Sequence, residues 1–365
     1  MKFLKPSFVL PLVVLGLVLG VAGGWIRLGY PVIPIAEAGV NHGLLMVGGF
    51  LGTLISTERA MVMKKKFWLL IPILSGLSNI FFLIGEASAG LLFLLSGSLG
   101  LGLIMHYQSL KNPNFHTFLL YCGAVFWFIG NFMVWKSGLI PAGSTWWMGF
   151  LLFTIVGERL ELTQFLPVPS WSKKALGGFL GLFFIGMLFP FHGLGNELLG
   201  VAALMISAWL LAFDMAKVAS KKKGQFRYTG IGLRIGYIWL GIQGLILLLM
   251  ESHPLFYDLV LHTFFLGFTF SMIWAHAPII FSTIFGIRQS PYHNMLWWQW
   301  ASFQLTLLGR IAFALAENWE WRIIMGVTNG FLIFLMFLSM AGILLWKLKS
   351  KKLQVKEAEQ NQLFI

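Results

Sequence analysis

Two histidines stand at one depth in an otherwise apolar chain, His42 and His262. Neutral imidazole is a strong iron ligand, and two imidazoles on separate helices at one level can hold a single haem between them. His42 lies nine residues past the start of a helix expected over 33–57, roughly 13 Å deep at 1.5 Å per residue. His262 lies six residues past the start of a helix expected over 256–285, roughly 9 Å deep. Both helices run in the same direction. Around His42 the sequence is Asn41-His42-Gly43, then Met46, Gly48, Gly49 and Gly52. The missing side chains at these glycines would let a flat ring approach the helix. The plainer reading is that each imidazole hydrogen-bonds a neighbouring helix. Arg310 falls in the same layer, six residues from the outer end of its helix. A buried guanidinium asks for a bidentate anion, and a haem propionate would supply one. The alternative is an arginine snorkelling to the outer surface.

A second set of ionisable residues carries a repeat. Gly49-Phe50-Leu51 is followed by Glu58-Arg59, Gly149-Phe150-Leu151 by Glu158-Arg159, and Gly267-Phe268 by His276. In each case the ionisable residue lies nine positions after the glycine. These segments fall on the second, sixth and tenth expected helices, so the period is four helices. Glu58, Glu158 and His276 are candidates for a proton relay or an anion-binding cluster. The plainer reading of the Glu-Arg pairs is that they anchor inner helix ends, Glu neutralising the Arg beside it. His276 lies 14 residues after His262, about 21 Å down the helix, so one ring cannot be held by both. It could bind a second metal, relay protons or cap a kink at Pro278, which removes a backbone donor.

The elements that must position these residues follow from composition. Of 365 residues, 58% are hydrophobic and 11% charged, against about 25% charged in soluble domains. The expected class is an all-α integral membrane protein. A span needs roughly 20 apolar residues. Twelve are expected, near 6–28, 33–57, 67–86, 88–107, 115–135, 144–165, 173–191, 194–216, 229–250, 256–285, 293–316 and 321–346. With the four-helix period they make three four-helix arcs. Residues 1–350 form one membrane domain, and 351–365 a short polar tail that frays. An N-terminus inside puts Lys2, Lys5, Lys64 to Lys66, Lys173, Lys174, Lys221 to Lys223, Arg227 and the lysines from Lys347 to Lys356 on the cytoplasmic side. Arg27, Lys136 and Arg322 are left flanking outer ends. This asymmetry predicts N-in, C-in topology in a bacterial inner membrane. It also accounts for the net charge of +13 without a nucleic-acid partner. Trp25, Trp135, Trp146, Trp147 and Trp321 are expected at the outer interface. Asp258 and His192 read as solvated loop residues. Cys122 is the one cysteine, which excludes an internal disulfide and the C-x-x-C-H attachment of covalent haem.

The stretch His42-Gly43-Leu44-Leu45-Met46-Val47-Gly48-Gly49-Phe50 resembles the first His segment of the NnrS family. His262-Thr263-Phe264-Phe265-Leu266-Gly267-Phe268 resembles that family's late-helix His segment. The helix count and repeat are also similar to the haem-copper oxidase core subunit. The resemblance implies haem b on His42 and His262, allows copper, and implies nitric-oxide handling or transfer of electrons to or from a respiratory partner. The sixth helix has no His, and the tenth has no His-x-His pair. An oxidase-type binuclear centre is therefore not expected. From other classes, a proton- or ion-coupled transporter and an assembly scaffold of a respiratory complex fit the same composition.

Overall fold

The computed structural model describes residues 6–285 and 289–363, with side chains over 6–282 and 289–350. Lys2, Lys5 and the side chains of Lys351, Lys352 and Lys356, used above for orientation, lie outside that description. All described regular structure is helical. The long helices are α1 (Leu10–Arg27), α2 (Ala36–Val40, Leu44–Gly52 and Thr53–Met61 in succession), α3 (Leu70–Leu83), α4 (Ala87–Lys111), α5 (Phe115–Ser137) and α6 (Ser144–Thr163). They continue as α7 (Ser170–Met187), α8 (Leu194–Phe213), α9 (Gly224–Leu249), α10 (Phe256–His262, Thr263–Phe270 and Ser271–Phe285), α11 (Met295–Leu315) and α12 (Trp319–Leu363). Among the described residues, nine helical segments are long and apolar enough to cross a membrane. The stretches α2, α7 and α11 are helical but more polar. They carry Glu58-Arg59, Lys173-Lys174 and the Gln299, Gln304 and Arg310 series. The segment after 350, expected to fray, continues α12 as helix to Leu363.

Local chemistry explains the breaks. Gly85 sits at φ +84°, a left-handed turn that reverses the chain between α3 and α4. Gly138 at φ +70° closes α5 in the same way. Asn114 and Thr117 form a reciprocal cap at the start of α5. Successive helices pack side by side from α3 to α6, from α7 to α9 and between α11 and α12, and α12 returns to pack on α1.

Two helices depart from α-geometry. Leu44–Gly52 in α2 and Thr263–Phe270 in α10 are π-helical. Such segments are rare, make up well under 1% of residues, and gather at functional sites. One begins two residues after His42 and the other immediately after His262. The related helix α6 has none. The widened turn in α2 is filled by donors from α3. Ser75 and Asn79 donate to the carbonyls of Gly48 and Gly49 at 3.2 and 3.3 Å.

Close backbone approach sets the α1–α2 contact. A side chain at Gly23 would run into the Ala38 carbonyl oxygen and would stand 3.3 Å from Cβ of His42. Gly23→Ala is expected to destabilise the protein by about 1–3 kcal/mol through overpacking against backbone. Denaturant unfolding in detergent checks this, and an unchanged midpoint would show that the two helices separate freely.

Candidate functional site

His42 and His262 line one cavity of about 360 Å³, within the range of small-molecule and cofactor sites. α1 gives its wall Gly24, Trp25 and Arg27, and α2 gives His42, Gly43 and Met46. Ser144 and Trp147 come from α6, and Tyr257, Asp258, His262 and Phe270 from α10. Arg310 comes from α11, and Arg322 and Asn329 from α12. Room for the ring comes from α1, where the His42 ring lies 3.1 Å from the point at which a side chain at Gly24 would begin; Gly48, Gly49 and Gly52, expected to admit a flat ring, instead pack on Leu94, Asn79 and Trp127.

Both imidazoles are oriented through Nδ1. His42 Nδ1 is 2.7 Å from the Gly20 carbonyl oxygen, and His262 Nδ1 is 2.8 Å from the Asp258 carbonyl oxygen. A carbonyl only accepts, so Nδ1 carries the proton in both rings. In the neutral ring Nε2 is then the bare nitrogen, its lone pair available. A histidine that ligates a metal is usually held in this way, its other nitrogen donating to a carbonyl or carboxylate.

The charges around the cavity differ from the sequence reading in one respect. Asp258 is not a solvated loop residue. Its side chain is 22% exposed, and it accepts from Arg310 at 3.1 Å and from Arg322 at 3.0 Å. Its first helical turn is folded onto α11 and α12, which local sequence does not reveal. Arg310 is buried and paired with this carboxylate, so it does not snorkel. Its Nε and that of Arg322 are buried without a partner. Three guanidiniums, Arg27, Arg310 and Arg322, and one carboxylate, Asp258, line the cavity. Trp25 and Trp147 are buried as well, at 2% exposure each, and wall the cavity instead of sitting among headgroups. Trp25 donates to the Val327 carbonyl at 3.2 Å and Trp147 to Asn131 at 3.1 Å.

At the other end of the same helices, Glu58, Glu158 and His276 gather. Arg59 on α2 forms an ion pair with Glu158 on α6. Glu158 is a charge neighbour of both Glu58 and His276. His276 Nδ1 is 2.9 Å from the Met272 carbonyl oxygen, and Pro278 lies inside the helix two residues on. Arg159 is buried beside Tyr237 and Asp214. Tyr237 donates to Asp214 Oδ1 at 2.8 Å, while Asp214 Oδ2 has no partner. Arg59→Gln is expected to destabilise the protein. The cost should fall below the about 3–5 kcal/mol of a fully buried pair, because Glu158 is 37% exposed. The double variant Arg59→Gln with Glu158→Gln should recover part of the loss, and strict additivity in that cycle would mean that the pair does not interact.

The sequence profile of a domain of unknown function, DUF8744, matches residues 7–345. The chain belongs to that family. Searches of curated proteins and of solved structures found no match. The DUF8744 match runs from before α1 into α12, so it covers both histidines, all three cavity arginines and the cluster of Glu58, Glu158 and His276. Among the described residues of this DUF8744 chain, no three His, Cys, Asp or Glu side chains are grouped around a common point for one metal ion. A haem iron asks the protein for only two donors.

Sequence reasoning placed His42, His262 and Arg310 in one layer, and the fold brings them to one cavity. It missed Asp258, Tyr257 and the inner pair Tyr237 and Asp214. One signal was present: Asp258 and His262 are four residues apart, the spacing that puts two side chains on one helical face. Tyr237 and Asp214 meet only through the packing of α8 on α9, and no local pattern announces that.

Proposed function

We propose that the outer cavity is a haem b site held by His42 and His262, in a protein that passes electrons within a respiratory membrane. The observation that carries this reading is the pair of imidazoles on one cavity, each with Nδ1 tied to a carbonyl and Nε2 left bare. The residues fit the group in other ways. Gly24 gives the His42 ring its space. The walls are largely apolar. Arg27, Arg310 and Arg322 exceed the one carboxylate by two positive charges, which suits two propionates. Haem iron supplies one-electron chemistry. The chain's own part is to ligate, to neutralise the propionates and to exclude water with Trp25, Trp147 and Phe270. His42 and His262 would both be engaged in holding the iron, which would leave it no open position for a gas. The reading therefore favours electron transfer over nitric-oxide binding, and it involves no binuclear centre. The test is an acid-acetone extraction of purified protein followed by a pyridine haemochrome assay. One extractable haem b per chain is expected, since no C-x-x-C-H motif is present for a thioether link. Its absence from protein made in haem-replete cells sinks the reading.

The membrane reading extends to α2, α7 and α11 as spans, which gives twelve helices in three arcs with both termini inside. Its supports are the side-by-side succession of helices, the three equivalent Gly-Phe sites, and the Lys and Arg distribution. At those sites Phe50, Phe150 and Phe268 are all at or below 1% exposure. A reporter after Ile365 should be active only in the cytoplasm, and one inserted at Ser137 only outside. An outside C-terminus would overturn the arrangement. The inner cluster of Glu58, Glu158 and His276 favours a second reading, proton- or ion-coupled transport. That reading predicts a pH-gradient-dependent flux that Glu158→Gln abolishes.

A further inference from the structure

The two imidazoles of the cavity are not equivalent. His42 has one Nδ1 partner, the Gly20 carbonyl. His262 has two from the same residue: the Asp258 carbonyl oxygen at 2.8 Å and the Asp258 carboxylate Oδ1 at 2.9 Å. That carboxylate also takes Arg310 at 3.1 Å through Oδ1 and Arg322 at 3.0 Å through Oδ2. One side chain, 22% exposed, therefore joins an imidazole on α10 to guanidiniums on α11 and α12. The i, i+4 spacing on α10 makes the first contact local. The return of α11 and α12 to this end of the bundle makes the other two.

The geometry points to Asp258 as the positioning residue of the site: it sets the orientation and electron density of His262 and holds Arg310 and Arg322 at the cavity wall. A carboxylate 2.9 Å from Nδ1, beside the carbonyl that takes its hydrogen bond, shifts electron density towards Nε2 and makes the ring a stronger donor to a metal. The same carboxylate keeps two guanidiniums from separating and stops them from swinging out to solvent. Their Nε–H groups, buried and unpartnered, remain as donors. Asp258 thus assembles both halves of a site that takes a metal at one end and an anion at the other. It ties His262, and not His42, to the arginine pair through a shared carboxylate. The part of this inference that concerns metal ligation rests on the haem reading above; the carboxylate–imidazole–guanidinium linkage does not.

The experiment has one readout without haem and two with it. Full-length protein labelled with ¹⁵N-histidine is examined haem-free by NMR, with His262→Gln to assign the resonance. In the wild type, the His262 Nδ1 proton should resonate strongly downfield of the His42 Nδ1 proton. Asp258→Asn should move the His262 signal upfield and leave the His42 signal in place. Asp258→Glu, which keeps the charge, should restore the signal in part. If Asp258→Asn fails to fold because two cations lose their counter-ion, Asp258→Asn with Arg322→Gln restores the balance and should show the same upfield shift. After loading with haem b, Asp258→Asn should lower haem affinity about 10-fold or more and raise the midpoint potential. The reason is that a weaker donor beside two uncompensated cations stabilises the ferric form less. A His262 signal that does not respond to Asp258 overturns the proposal, whether or not haem binds. A wild-type protein that takes no haem but shows the Asp258-dependent shift sinks the haem reading and leaves the positioning role of Asp258 standing. A protein that binds haem with affinity and potential indifferent to Asp258 retains the haem site and loses this inference.

Discussion

On the haem reading proposed above, protein carrying His262→Ala, or His42→Ala, is expected to lose the low-spin spectrum expected of the wild type. The two side chains approach one cavity from α2 and α10, and each presents a bare Nε2 because its Nδ1–H is committed to a carbonyl. Removing one imidazole leaves iron with a single protein donor and a vacant position. The expected product is high-spin haem, less firmly held than when only an outer partner of a ligand is lost, which costs about 10–100-fold. Exogenous imidazole should restore a low-spin spectrum in the alanine variants, because the cavity left by the ring admits it. The effect of the two variants should be similar in spectrum, with the His262 variant also disturbing Asp258 and its arginines. Absorbance and electron paramagnetic resonance read the outcome. A fully low-spin spectrum in either single variant would show that the replaced residue is not a ligand.

Arg310→Met is expected to have the next largest effect. The guanidinium is 7% exposed and bound to Asp258. In the haem-free protein Asp258 keeps Arg322 and His262 after the change. The cost should therefore stay at or below the lower end of the about 3–5 kcal/mol seen when a buried pair is broken. In the loaded protein the variant also loses a charge-assisted hydrogen bond to an anion, worth about 1.5–3 kcal/mol. That corresponds to a fall in haem affinity of roughly 10- to 100-fold, with the low-spin spectrum retained in whatever fraction stays bound. Haem transfer to an acceptor protein measures it. Unchanged retention would leave Arg310 with a purely structural partnership to Asp258.

The helical class and the limits of most helices were legible because a bilayer demands about 20 apolar residues per span, and lysine runs, prolines and glycines mark the ends. That His42 and His262 share a level along their helices, and so one cavity, was legible because a helix converts residue count directly into distance. What sequence did not show was produced by contact between distant elements. Asp258 read as a loop residue because its local partner, His262 four residues on, does not by itself bury it; Arg310 and Arg322 reach it from α11 and α12. Trp25 and Trp147 read as interface anchors because they lie near helix ends, yet both turn inward and find buried acceptors. The π-helical segments beside the two histidines follow from packing. Glycines at 48, 49 and 52 permit a widened turn, and Ser75 and Asn79 of α3 supply donors to it. The shared spacing of Glu58, Glu158 and His276 marked residues that the fold does gather, although the link it makes is between Arg59 and Glu158.

The most direct test of the central claim is the absorption spectrum of the purified wild-type protein from haem-replete cells, oxidised and reduced, with magnetic circular dichroism to identify the ligands. The account predicts a Soret band with sharp reduced α and β bands and the near-infrared signature of two imidazoles on low-spin iron. A preparation that is folded, retains its helical content and shows no Soret absorbance would contradict it.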